Sequence, residues 1–135
     1  MSNAAIAIRS RLLANASVVA LVSDRAYVAE LPQSEAANMP RSSVVIRLTG
    51  GIVQSHFLPY LPQRLDVIAY GSTFGEADDL DRAIAQDLHM LDGATYDGVA
   101  IRGVDVGGSY TARDPTFGWP YQWRTYDVHA ITMSE

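Results

Sequence analysis

The stretch "RLDVIAYGSTFGEADDLDRAIAQDLHML", residues 64–91, decides the class of fold. Its opening residues alternate: Leu65, Val67 and Ala69 fall on one side of an extended chain, and Asp66, Ile68 and Tyr70 on the other. That is the period of a strand. After Gly71 the period changes. Thr73 and Glu76 have the T-x-x-E spacing of a capping box, in which two N–H groups orphaned at a helix start are satisfied reciprocally. Asp78 and Asp79 then lie where the positive end of the helix macrodipole favours them. Ala77, Leu80, Ile84, Leu88 and Leu91 recur at spacings of three and four, which is one apolar face of a helix, and Asp92-Gly93 stops it. A strand feeding an amphipathic helix predicts a helix laid on a sheet.

Reading outward toward the N-terminus, residues 3–14 predict a helix with Asn3 as N-cap and a stripe through Ile6, Arg9/Ser10 and Leu13, with Ala5 and Leu12 beside it. Asn15-Ala16-Ser17 reads as a break, with Ser17 capping a short second helix that runs through Val22 and ends at Asp24-Arg25. "AYVAEL" (residues 26–31) is a strand or extended segment, and "PQSEAANMPR" (32–41) a loop between two prolines. "SSVVIRLTGG" (42–51) is β-branched and closes on a Gly-Gly turn. In "IVQSHFLPYLP" (52–62), Pro59 and Pro62 argue for an edge strand or a projecting hairpin arm. Toward the C-terminus, "GVAIRGVDVGG" (98–108) and "YQWRTYDVHAIT" (121–132) read as strands. "SYTARDPTFGWP" (109–120) reads as a loop kept out of the middle of the sheet by Pro115 and Pro120. The expected class is α+β: one domain over residues 1–135, with a mostly antiparallel four- to five-stranded sheet and helices packed on one face.

A chain of 135 residues buries roughly two-thirds of the surface it exposes when unfolded, enough for a core without staples. With 48% apolar and 19% charged residues it does not have a disordered composition. The absence of cysteine excludes disulfides and thiolate metal sites. All ten cations are arginines, and the formal charge of −5 gives no electrostatic reason to bind the outside of a nucleic-acid duplex. Arg9 and Arg11 interrupt the apolar N-terminus, and no run approaches the ~18 apolar residues of a membrane span. The expectation is a soluble, unprocessed chain with no membrane partner.

Chemistry-bearing residues have simpler readings. His89 shares the polar face of the helix with Arg82 and Gln86. His129 follows Asp127 by two positions on one strand face, a spacing that could orient an imidazole against a carboxylate, but no third ligand is near and a metal site needs more. His56 reads as a loop contact. Asp78, Asp79, Asp81 and Asp87 read as a solvated helix face rather than a glycosidase-like carboxylate pair. Gly50-Gly51 and Gly107-Gly108 lack the spacing of a phosphate loop, and Ser10, Ser17 and Ser109 sit in no nucleophile elbow. No catalytic residue, cofactor or metal is expected. What remains is "TFGWPYQWRTY" (116–126). Here Phe117, Trp119, Tyr121 and Trp123 alternate, so an extended backbone puts all four on one side. Facing the helix they would be core. Facing away, with Arg113 and Arg124 nearby, they would make an interface, or less readily a ligand-stacking platform.

The chain as a whole resembles the tail-terminator (tail-completion) proteins of long-tailed bacteriophages and prophages, the group like minor tail protein U. The resemblance is carried by Leu12-Leu13, Leu21-Val22, Asp24-Arg25-x-Tyr27, Leu31-Pro32-Gln33 and Pro40 before the first sheet strand. It continues through the "TFGEADDLDRAI" helix, Gly98-Val99 and a closing strand with Arg124. It implies a non-enzymatic α+β subunit without cofactor, assembling with itself as a ring, commonly hexameric, at the head-proximal end of the tail. The implied partners are the tail tube protein and a head–tail connector protein, with DNA passing through the lumen unbound. The implied setting is the virion, and the host cytoplasm during assembly. An acidic lumen wall would suit passing phosphates, and the net charge agrees. The two expected contact patches are His56, Phe57 and Tyr60 in the arm, and Phe117, Trp119, Tyr121 and Trp123 in the aromatic stretch. Two alternatives remain: a connector or stopper subunit, and a small ligand-binding or enzymatic α+β domain using Asp127 and His129 as acid and base.

Overall fold

The computed structural model describes residues 4–51, 61–89, 91 and 93–132. Two N-terminal helices, α1 (Ala4–Leu13) and α2 (Ala16–Val22), precede a short strand β1 (Ala26–Val28) and a single helical turn α3 (Gln33–Ala36). Strands β2 (Ser43–Gly51) and β3 (Leu61–Tyr70) lead into α4 (Phe74–His89), and β4 (Ala94–Tyr96), β5 (Val99–Arg113) and β6 (Pro120–Thr132) complete the chain. The strands form one sheet in the order β1-β2-β3-β6-β5-β4, curled into a half-barrel. Every neighbouring pair is antiparallel except β1 with β2.

Helices α1, α2 and α4 cover one face. Against them the strands present the alternate residues that their period dictates: Val44 and Ile46 from β2, Leu65, Val67 and Ala69 from β3, and Tyr126, Val128 and Ala130 from β6. The apolar stripe of α4 is buried as its spacing requires, through Ala77, Leu80, Ile84, Leu88 and then Leu91. Each fully buried Leu or Ile here contributes ~1.5–3 kcal/mol of hydrophobic stabilisation. The helix start is capped by Thr73 as expected, its Oγ1 accepting from Glu76 N at 3.1 Å, but Glu76 Oε1 accepts from Ser72 N at 3.1 Å rather than from Thr73 N. The Ser72 hydroxyl and N–H together hold the Glu76 carboxyl below its usual range. Gly71 joins β3 to this helix because a Cβ there would lie 2.5 Å from Ala77 N and 2.9 Å from Glu76 C.

Several expectations are corrected. The sheet has six strands rather than four or five. The sixth, β4, pairs with the start of β5 through Tyr96↔Val99, and the connecting Asp97 and Gly98 have φ of 52° and 79°. An Asp-Gly dipeptide is a preferred two-residue hairpin turn because both positions need positive φ, and that was the available signal. The strand at 26–31 stops at Val28, and the loop at 32–41 contains α3. Neither residues 109–113 nor Pro120 are loop: β5 continues to Arg113, which pairs with Pro120 as the first residue of β6, so only Pro115 lies in the turn. The second helix is capped by Asn15 rather than Ser17, its Oδ1 accepting from Ser17 N at 2.9 Å and Val18 N at 3.1 Å. Asn3 and the arm residues 52–60, including His56, Phe57 and Tyr60, lie outside the described residues.

The acidic face of α4 is also corrected. Side chains of Asp81 and Asp87 are each only 2% exposed. Asp81 accepts from Arg124 Nε at 3.0 Å and Nη2 at 2.8 Å, while Arg124 Nη1 donates to Gly107 O at 2.8 Å. One guanidinium thereby ties α4, β6 and the bulge in β5 together. Asp87 accepts from Arg11 Nη2 at 2.7 Å and Asn15 Nδ2 at 2.8 Å, clamping α1 and the α1–α2 turn to α4. A buried carboxylate persists only when its charge is matched and its lone pairs are used, and both conditions hold here.

Candidate assembly surface

Strand parity settles which way the aromatic stretch faces. On β6, Gln122, Arg124 and Tyr126 point toward the helices, so Tyr121 and Trp123 point to the helix-free side. Cross-strand pairing brings others to them: Tyr70 of β3 lies opposite Tyr121, and Tyr110 of β5 opposite Trp123. The rings form a continuous row. Tyr110 stacks on Trp123 at 5.9 Å, Trp123 meets Tyr121 at 5.9 Å, and Tyr121 meets Tyr70 edge-on at 5.9 Å. Tyr70 in turn meets Trp119 at 6.1 Å, and Trp119 stacks on Phe117 at 4.5 Å. The Arg47 guanidinium of β2 lies over Trp123, 4.9 Å from its centroid. Beneath this layer Val45 and Ile68 are 3% and 2% exposed, although the helices cover the other face. Burial pushes the Tyr70 and Tyr121 hydroxyls up, with Asp114 adding to both, so both phenols stay protonated at neutral pH.

The turn that ends the row is held rigidly. Asp114 N donates to Trp119 O at 2.8 Å and Gly118 N to Asp114 O at 2.7 Å. Asp114 Oδ1 accepts from both Thr116 N and Phe117 N at 2.8 Å, an Asx turn. Gly118 supplies the φ of 74° that closes it. Arg113 donates to Gly118 O at 3.0 Å while its guanidinium covers Phe74 at 4.6 Å. Phe117, 62% exposed, is therefore presented by a backbone that has already lost its freedom. Little ordering entropy remains to be lost when such a ring is buried against a partner.

The other end of the same face is charged. Asp105 and Asp127 sit directly across from each other on β5 and β6. Asp127 meets Arg64 at 3.2 Å, and His129 Nε2 lies 3.0 Å from Asp105 Oδ2. The carboxylate beside the imidazole in this pair thus comes from the neighbouring strand. Among the described residues no group of three His, Asp or Glu side chains is placed to hold a metal ion. A shallow polar hollow between α1, α2 and α4 is lined by Arg11, Asn15, Ser17, Gln86 and Asp87, several of which already bond one another. The outer edge of β5 beyond Ile101 has no strand partner among the described residues.

Of the expected contact residues, Phe117, Trp119, Tyr121 and Trp123 are brought together on one face. Tyr70, Tyr110 and Arg47 join them and were missed. Strand parity already put Tyr70 opposite Leu65, which was a usable signal. Tyr110 was hidden by reading its segment as loop. Only the strand pairing reveals Arg47.

No protein-family model matches this sequence, and no curated protein matches it. Among solved structures, the fold is similar to that of a chain in the virion of a native gene transfer agent (GTA) particle, with a TM-score of 0.68 and 16% sequence identity. The match covers 96% of this chain and 99% of that one. At that identity the likeness is one of fold. No single helix among the described residues is long and apolar enough to cross a membrane.

Proposed function

We propose that this protein is a structural subunit of a phage-like virion, a tail terminator that assembles with itself as a ring, halts tail-tube growth and offers the surface to which the head joins. One observation carries the reading: a row of six rings on the helix-free face, ending in an exposed Phe117 on a rigid turn. Contiguous apolar surface of this kind marks an interaction site, and Trp, Tyr and Arg are the residues that dominate binding energy at such sites. The sequence resemblance to tail terminators and the full-length fold likeness to a virion chain support the same class.

A closed ring needs two different, complementary patches on each subunit. The ring row meets β3 at Tyr70, the end of that strand away from Leu61. The ring row supplies one such patch, and the sequence of residues 52–60, with Phe57 and Tyr60, is the proposed source of the other. The stopper reading uses the same surfaces and differs in the particle to which the subunit adds, tails or filled heads.

The test combines mass measurement at micromolar concentration with electron microscopy of tail tubes grown in the protein's presence. The wild type is expected to form rings and to cap tubes at fixed length. Trp119→Ala and Tyr60→Ala are expected to lower the assembled mass and to let tubes overgrow. If both variants assemble and join heads like the wild type, the reading is wrong.

A further inference from the structure

We propose that Arg47 is the charged anchor of the contact between copies, receiving a carboxylate from a neighbouring copy with Trp123, Tyr121 and Tyr70 as its apolar rim. The proposal rests on the self-assembly reading above and names what one side of that contact recognises. Its basis is how the arginines are used. Arg11, Arg41, Arg64, Arg82 and Arg124 each meet a carboxylate, and Arg9, Arg25 and Arg113 donate to backbone carbonyls. Arg102 is exposed. Arg47 is different. Its Nε is buried with no hydrogen-bond partner among the described residues, and it forms no ion pair there. Its terminal nitrogens donate to no acceptor among the described residues either, and Asp66, directly across on β3, makes no ion pair with it, so the cation on the ring face is left to be matched by an incoming carboxylate.

The geometry suits a carboxylate. Stacking on Trp123 fixes the guanidinium plane, and burial of Nε leaves the terminal nitrogens as the reachable donors of a planar fork. A neighbouring surface laid over these half-buried rings would exclude water and so strengthen a charge-assisted hydrogen bond formed among them.

Charge complementarity selects a second copy as the source. Each chain holds fifteen acidic residues against ten arginines. Exposed Asp24 and Glu30, which flank β1 at the sheet edge, and Asp79 on the outside of α4 form no ion pair among the described residues. Asp79 sits on a helix that packs on the opposite face of the sheet from Arg47, so it reaches an Arg47 only by belonging to another molecule.

The experiment compares wild type, Arg47→Gln, Arg47→Lys, Arg47→Glu and Phe117→Ala by light scattering and native mass spectrometry at low and high salt, with circular dichroism confirming the fold. Arg47→Gln is expected to weaken self-association roughly tenfold or more, and to remove most of its salt dependence. Arg47→Lys should recover only part, because an ammonium lacks the fork. Arg47→Glu should fail to assemble alone yet still join tagged wild-type subunits, since its carboxylates are intact. If Arg47→Gln assembles like wild type while Phe117→Ala dissociates, the anchor is refuted and the assembly reading stands. If the wild type is monomeric under all conditions, the self-assembly reading fails and the anchor with it. If Arg47→Gln keeps its assembled mass but no longer binds tail tubes, the carboxylate belongs to another virion protein and the second-copy assignment is overturned.

Discussion

Tyr126 carries the least well-served polar atom in the helix-side core. The residue is 1% exposed and its hydroxyl has no hydrogen-bond partner among the described residues. Burial, reinforced by the nearby Asp81 carboxylate, pushes its ionisation far above that of an ordinary tyrosine. An acid whose folded pKa is raised keeps its proton in the native state after the unfolded chain has released it. Its contribution is therefore intact below about pH 10 and falls as pH rises beyond that. Tyr126→Phe removes a buried group that lacks a partner, so the variant should be unchanged or up to ~1 kcal/mol more stable at neutral pH. It should also lose stability less steeply above pH 10. Denaturant melts at neutral and alkaline pH check both. A loss of more than ~1 kcal/mol at neutral pH would reveal a hydrogen bond that the hydroxyl makes. Tyr121, five positions earlier, has opposite strand parity and joins the outer row instead. Two tyrosines of one strand thus acquire unrelated roles from one geometric rule.

Helix α4 shows how far local pattern reaches. Its cap, apolar stripe and stop were all legible from residues 72–93, because each depends on groups within a few positions of one another. Its aspartates were not. Asp78 and Asp79 remain at the surface, while Asp81 and Asp87 are buried by arginines 43 and 76 positions away. Spacing along a helix does not disclose a partner on another strand. Asp81→Ala would strand Arg124 in a nearly closed environment and should cost about 3 kcal/mol, whereas Asp79→Ala should stay within about 0.5 kcal/mol. Urea midpoints at unchanged slope measure the difference. Equal effects would mean that Arg124 finds water or another acceptor. The bulge in β5 belongs to the same device: a Cβ on Gly107 would lie 2.6 Å from Thr125 Oγ1 and 2.8 Å from Thr125 O, in the place where Gly107 O meets Arg124.

The two faces of the sheet divide the labour of the molecule. The helix-covered face supplies the cooperative core, and the helix-free face carries rings and Arg47 on a support that the core has already made rigid. Truncations should separate the two. Ile84→Ala is expected to cost ~2–5 kcal/mol by opening a cavity under α4. Phe117→Ala, which removes a largely exposed ring from a turn held by its own hydrogen bonds, should change stability by no more than about 0.5 kcal/mol while weakening assembly. Thermal melts paired with assembled mass give both readouts for each variant. A stability loss at Phe117 comparable to that at Ile84 would make the ring row part of the core.

By itself the sequence determined the α+β class, the position and register of its main helix, the strand alternations, and the shared side of Tyr121 and Trp123. All of these follow from backbone period, which links residues a few positions apart. The tertiary structure alone decided that this side faces away from the helices, that Tyr70, Tyr110 and Arg47 extend it, that Asp81 and Asp87 are interior, and that the sheet has six strands with one parallel pair. The reason is common to all four. Period says which side chains share a face, but the identity of what covers that face comes from strand pairing and helix docking between segments far apart in the chain.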